Sequence, residues 1–139
     1  MRGNKMEFDK INVGDEITVS KNKVGKYQPI LYAGAGGDFN PIHIDPEFGK
    51  MVGLGGNILH GLCTMAFAGK ACTDYAGDPG ALKRLKVRFA KPVKPLETVE
   101  VKGKIIKIDE DVAVAEISAD TNGGNVQVLT NGIAEFRKT

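Results

Sequence analysis

Gly61-Leu62-Cys63-Thr64-Met65-Ala66-Phe67-Ala68-Gly69-Lys70-Ala71-Cys72-Thr73-Asp74-Tyr75 is the stretch on which the fold turns. Its apolar side chains (Leu62, Cys63, Met65, Ala66, Phe67, Ala68, Ala71 and Cys72) spread around every face of a helix, and Lys70 and Asp74 are its only charges. A helix apolar all round is expected to be buried all round. Gly77 and Pro79 end it, because glycine reverses the chain there and proline cannot continue a helix. A helix of this length is a rod about 22 Å long.

Downstream of that rod the hydrophobic period changes to two, as expected of strands. Leu85, Val87 and Phe89 alternate with Arg84, Lys86 and Arg88. Val99, Val101 and Ile105 alternate with Glu100, Lys102 and Lys104, and the doubled Ile105-Ile106 marks a bulge. Asp109-Glu110-Asp111 reads as a turn. Val112–Ala119 is nearly apolar on both faces, as expected of a central strand. Asn122-Gly123-Gly124-Asn125 is a hairpin signal leading into a last strand over Val126–Phe136. Four or five antiparallel strands and one wholly apolar helix are both satisfied by a curved sheet wrapped around the helix, an α+β architecture known as the hot-dog fold. Such a sheet leaves an edge open, which pairing into a dimer would close.

Upstream, residues 1–10 read as poorly ordered, and Phe8, Ile11 and Val13 as a segment docking on the body. Val13–Glu16 reads as a turn, Ile17–Ser20 as a short strand, and Lys21–Lys26 as a basic, solvated loop. Gln28–Ala35 is expected to be a short helix with Pro29 in its first turn. Asp45 as N-cap and Pro46 at the first helical position predict a helix over 46–51. Gly53-Leu54-Gly55-Gly56-Asn57 reads as a flexible loop. It lacks a phosphate-binding glycine pattern and suits a substrate entrance instead.

The chemistry is expected between the two helical regions, in Tyr32-Ala33-Gly34-Ala35-Gly36-Gly37-Asp38-Phe39-Asn40-Pro41-Ile42-His43. Pro41 fixes its own φ and disfavours a helical Asn40, so Asp38 and His43 cannot share one regular helix. Turns at Gly36-Gly37 and at Asn40-Pro41 let the carboxylate and the imidazole point into one small volume. There an ionised Asp accepts hydrogen bonds and a His donates or accepts, so together they can hold and deprotonate one water.

This stretch resembles the active-site signature of the MaoC-like dehydratases, which include the R-specific enoyl-CoA hydratases. The similarity continues through Val52-Gly53-Leu54, His60-Gly61-Leu62-Cys63-Thr64-Met65 and Val87-Arg88-Phe89, and is weakest over residues 1–25. One departure is Gly36-Gly37, where many relatives have a Ser-Gly pair. The resemblance implies the hot-dog fold and a hydro-lyase: reversible, stereospecific hydration of trans-2-enoyl thioesters, or dehydration of (R)-3-hydroxyacyl thioesters. It implies Asp38 and His43 as the catalytic pair, Gly61 as the oxyanion-hole glycine, and a substrate channel at a dimer interface. Free amides and the positive dipole at the start of the helix suit that oxyanion role. Asn40 is expected to support the turn. Phe39, Leu54, Leu59 and Phe67 are candidate channel walls. Arg84, Lys86 and Arg88 read as a solvated strand face or as contacts for the phosphates of coenzyme A or an acyl-carrier protein's arm.

Composition sets the outer bounds. The 139 residues are expected to form a single domain over 1–139. Nineteen basic against 17 acidic residues leave a net charge of +2, which argues against nucleic acid as a partner. Cys63 and Cys72 read as buried small hydrophobes in a reducing compartment, with no disulfide and no zinc site. Met1–Lys10 is polar and no apolar run approaches membrane-helix length, so a cytoplasmic protein without membrane association is expected. The expected partners are the acyl thioester and a second hot-dog protomer, in a homodimer or a hetero-oligomer. No cofactor or metal is expected. Three other readings stay open: an iron site of His43, Asp45 and His60, a non-catalytic subunit that binds acyl thioesters, and a hot-dog thioesterase. For the last, the helix offers only Asp74.

Overall fold

A computed structural model describes residues 6–139. Five strands, β1 (Glu16–Lys23), β2 (Leu82–Phe89), β3 (Thr98–Asp109), β4 (Val112–Thr121) and β5 (Val126–Arg137), form one antiparallel sheet in the order β1-β3-β4-β5-β2. Four α-helices precede β2: α1 (Gln28–Gly36), α2 (Pro41–Ile44), α3 (Pro46–Met51) and α4 (Gly61–Ala76). Helix α4 touches all five strands, so the sheet curves around it as the hot-dog fold requires.

The core explains the wrapping. Strand β4 turns Ala113, Ala115, Ile117 and Ala119 inward, and α4 turns Ala68, Ala71, Cys72 and Ala76 toward the sheet, all of them buried. Small side chains on both surfaces let helix and sheet approach closely, as close packing of an interior demands. Larger groups fill the flanks: Val99, Val101, Ile105, Val128, Leu129 and Phe136. Phe136 meets Tyr75 edge to face at 5.5 Å between ring centroids. The bulge expected at Ile105-Ile106 is present: the β3–β4 register shifts between Ile105 and Lys107, and Ile106 turns outward. The tight reversal at Asn122-Gly123-Gly124 places all three residues at positive φ.

Several expectations need correction. Helix α4 is not buried all round: Leu62, Ala66, Lys70 and Asp74, spaced four apart, form an open stripe, and Leu62 is 63% exposed. The sheet covers one side of the helix, and among the described residues nothing covers this stripe. Residues 21–23 are not loop but the end of β1, paired with Thr98–Glu100 of β3 and anchored by the buried Val24. The region 6–10 is ordered against the body, with the Met6 amide bonded to the Ala76 carbonyl and Met6, Phe8 and Ile11 packed on the core; Val13 is exposed. The expectation for residues 1–5 lies outside the described residues. Helix α2, a single turn, was not anticipated, although Asn40-Pro41 carries its N-cap and first position.

Candidate active site

Two turns deliver the site's side chains. Helix α1 ends where Gly37 adopts a left-handed conformation (φ 75°), which a side chain would disfavour. Asp38 follows, and its Oδ1 accepts the Asn40 amide at 3.2 Å. Asn40 is extended (φ −54°, ψ 130°), and its own side chain accepts the Ile42 amide and so caps α2. His43 therefore rides on a capped helical turn, and Asp38 sits two residues before its Asn40 cap.

The pair converges. Asp38 Oδ2 lies 3.7 Å from His43 Nε2, with His43 buried and the Asp38 side chain half exposed. That separation is too long for a hydrogen bond and suits a water touching both groups. His43 Nδ1 lies 2.8 Å from the carbonyl of Ile58. A carbonyl only accepts, so Nδ1 carries the proton and Nε2 is the nitrogen that faces Asp38. Sequence reasoning missed Ile58 because its contribution is a backbone oxygen, which no residue type signals. Two further bonds fix this strand of chain: the Ile58 amide to the Ile42 carbonyl at 2.9 Å, and the Asn57 side-chain amide to the His43 carbonyl at 3.0 Å.

A cavity of about 210 Å³ runs from His43 past Ile58, Leu59 and Gly61 to Thr64, Phe89, Lys91 and Val128. It links the imidazole to the first residue of α4. Larger hollows exist under Met6–Lys10 and between β1 and α4, but neither is lined by His43 or Gly61. Of the four expected wall residues, Leu59 lines the cavity; Phe39, Leu54 and Phe67 are not among its lining residues. The loop over residues 53–57 folds back on α3, with the Leu54 amide bonded to the Gly49 carbonyl. Arg84, Lys86 and Arg88 lie exposed on the face of β2 opposite Leu85 and Val87, and the cation at the cavity is Lys91.

A model of the MaoC like domain matches residues 6–122. The chain belongs to that family. Among curated relatives, this MaoC-like chain is 39% identical over 118 residues to "Probable enoyl-CoA hydratase 2" of Dictyostelium discoideum, covering 84% of this chain and 39% of that protein. It is 44% identical over 92 residues to "Enoyl-CoA hydratase 2, peroxisomal" of Arabidopsis thaliana, covering 65% of this chain and 29% of that protein. A solved "MaoC-like dehydratase" superposes with a TM-score of 0.91 at 29% identity, covering 99% of this chain and 43% of the other. The chain thus spans less than half the length of each.

The remaining titratable groups of the MaoC-like site arrange themselves around His60. Its ring stacks on His43 (centroids 3.8 Å apart, planes at 22°) and meets Tyr32 at 4.7 Å. Its Nε2 lies 2.9 Å from the Asp38 carbonyl and is therefore the protonated nitrogen. The iron set of His43, Asp45 and His60 does not form, because Asp45 Oδ1 is committed to the Glu47 and Phe48 amides that start α3. Asp38, His43 and His60 do cluster, with ligand atoms within 4.8 Å. The residues fit a metal poorly: two stacked rings cannot aim lone pairs at one ion about 2 Å from each. Burial pushes the Cys72 thiol up to about 12 and raises Cys63, the latter partly offset by the Gln28 amide, so burial disfavours the thiolate form of both. Asp74, the carboxylate of the thioesterase reading, is exposed, pairs with Lys70 and is absent from the cavity at Gly61. No helix of the described residues is long and apolar enough to cross a membrane.

Proposed function

We propose that this chain hydrates trans-2-enoyl thioesters reversibly, giving (R)-3-hydroxyacyl thioesters. The observation that carries the reading is the 3.7 Å approach of Asp38 Oδ2 to His43 Nε2 beside a cavity that reaches Gly61. Both atoms are acceptors, so a water between them donates both hydrogens and turns its lone pairs toward the substrate. The water oxygen bonds to C3 as one of its protons passes to the pair. The π electrons shift to C2 and the thioester oxygen, and the pair returns a proton to C2. The product has gained one water and the enzyme is unchanged. In reverse, the pair removes the C2 proton and protonates the departing hydroxyl.

Negative charge on the thioester oxygen is met by the first amides of α4, which have no partners within the helix and sit at its positive end. Gly61 brings that oxygen close, Asn40 holds the turn, and the chemistry calls for no cofactor. Lys91 at the cavity is the best-placed cation for the phosphates of coenzyme A or of a carrier arm, and Arg88 lies three residues before it, near the end of β2. The open stripe of α4 and the free edges β1 and β2 fit burial against a second hot-dog unit, in the same or another chain. The names of the two curated relatives favour a coenzyme A thioester as substrate. Unpaired, buried cysteines suit a reducing compartment, the cytoplasm or the peroxisome of the Arabidopsis relative.

The test is the loss of enoyl absorbance with crotonyl-CoA and with a longer enoyl-CoA. The wild type should convert at least one. Asp38→Asn and His43→Gln should each lower kcat by about 100-fold or more while leaving the fold intact. A wild type inert to both substrates, or full activity in either variant, would overturn the reading.

A further inference from the structure

We infer that His60 is a positioning residue which ties the Asp38–His43 pair to the N-terminus of α4, so that base and oxyanion donors move as one body. Three contacts meet in this one residue. Its Nε2–H donates to the Asp38 carbonyl at 2.9 Å, which sets the main chain that carries the carboxylate. Its ring lies flat against His43 at 3.8 Å and is backed by Tyr32, which sets the plane in which His43 Nε2 faces Asp38. Its own carbonyl accepts the Cys63 and Thr64 amides at 3.0 and 3.2 Å, which makes it the first backbone anchor of α4.

The polar character of His60 is not what the fold needs. The residue is 3% exposed, its side chain makes no capping bond to α4, and its buried Nδ1 finds no hydrogen-bond partner among the described residues. A buried lone pair without a donor destabilises the folded state. An aromatic hydrocarbon of similar shape would fill the same space without that penalty. The imidazole earns its place only through the proton on Nε2, and that proton goes to the catalytic loop. The stack with His43 depends on no bond to the helix, so the bond to Asp38 and the stack serve the pair, Tyr32 backs the ring, and none of the three is a cap on α4.

The inference rests on the hydratase reading for its kinetic readout alone. His60→Phe keeps the ring and removes the donor. It should keep or raise the thermal midpoint, lower kcat for crotonyl-CoA by about 10- to 100-fold and change KM by less than about threefold, since small misplacements of reacting groups act on kcat. His60→Gln, whose amide reaches the Nε2 position, should restore a large part of kcat. His60→Asn, which is too short, should not. A folded His60→Phe with kcat within about twofold of wild type overturns the inference. If His60→Phe fails to fold, the Gln and Asn variants decide, and equal kcat values for those two overturn it. A crystal structure of the His60→Phe or His60→Gln protein gives an answer independent of turnover. Loss of the donor should widen the 3.7 Å Asp38–His43 approach in the Phe protein and leave it intact in the Gln protein. An unchanged approach in the Phe protein refutes the role of His60, whereas an inert wild type refutes only the hydratase reading.

Discussion

Gly61 lies beneath the ring of Phe89: a Cβ on Gly61 would stand 3.2 Å from Cε1 and 3.3 Å from Cδ1 of that ring. The contact is tight but the obstacle is a half-exposed side chain, so the ring can swing and the fold survives. Under the proposed hydratase reading, the added methyl would instead occupy the space through which the thioester oxygen reaches the first amides of α4. Gly61→Ala should therefore change the thermal midpoint little and lower kcat/KM for crotonyl-CoA by about 10- to 100-fold. Stopped-assay kinetics beside a melting curve check it, and unchanged kinetics in a folded variant would remove Gly61 from the oxyanion site.

Gly49 behaves in the opposite way. A Cβ there would fall on the Gly56 carbonyl oxygen and within 2.4 Å of its carbon, and backbone cannot swing aside. Gly49→Ala must push the 53–57 loop off α3. That loop leads directly to Asn57 and Ile58, which hold His43. The expected outcome is a stability loss of about 1–3 kcal/mol by urea titration, accompanied by a fall in kcat.

Asn40 joins the two halves of the catalytic turn, since its amide goes to Asp38 and its side-chain oxygen caps α2. Asn40→Ala removes the cap alone and should cost about 1 kcal/mol. Asn40→Asp keeps an acceptor at the same place and should recover that stability. Activity should follow stability only weakly in both, by less than about tenfold, because the backbone bond to Asp38 remains.

The alkaline limb of stability should carry the mark of Cys72. Its thiol ordinarily titrates near 9.0 and burial raises it to about 12 in the folded chain. The folded state thus keeps a proton that the unfolded state releases, so the stability present below pH 9 is lost as pH rises from there toward 12. Tyr75, raised by burial and by the Asp15 charge, acts in the same direction. Urea titrations at pH 7 and pH 10 should show a drop on the order of 1 kcal/mol that is smaller in Cys72→Ala. At pH 8, iodoacetamide should leave Cys72 unmodified until the chain unfolds. Rapid labelling of the native protein would contradict the burial of this thiol.

The parts of the molecule legible in the sequence are those set by short-range physics. The two-residue period marked the strands, the doubled Ile105-Ile106 marked the bulge, and Asp45-Pro46 marked the start of α3 at the residue observed. The bend between Asp38 and His43 followed from the φ restriction of Pro41 and the left-handed tolerance of Gly37. Each signal lives in the dihedral preferences or the hydrophobic pattern of neighbouring residues. The tertiary structure alone decided which ring nitrogen of His43 carries the proton and which faces Asp38, since the answer comes from the Ile58 carbonyl fifteen residues away. It alone turned His60 onto His43, brought Lys91 to the cavity and left the Leu62–Asp74 stripe of α4 open. A backbone oxygen belongs to every residue, and the covering of a helix face depends on how far a sheet can curve. Neither quantity is written in residue type, so both emerge only when the segments pack.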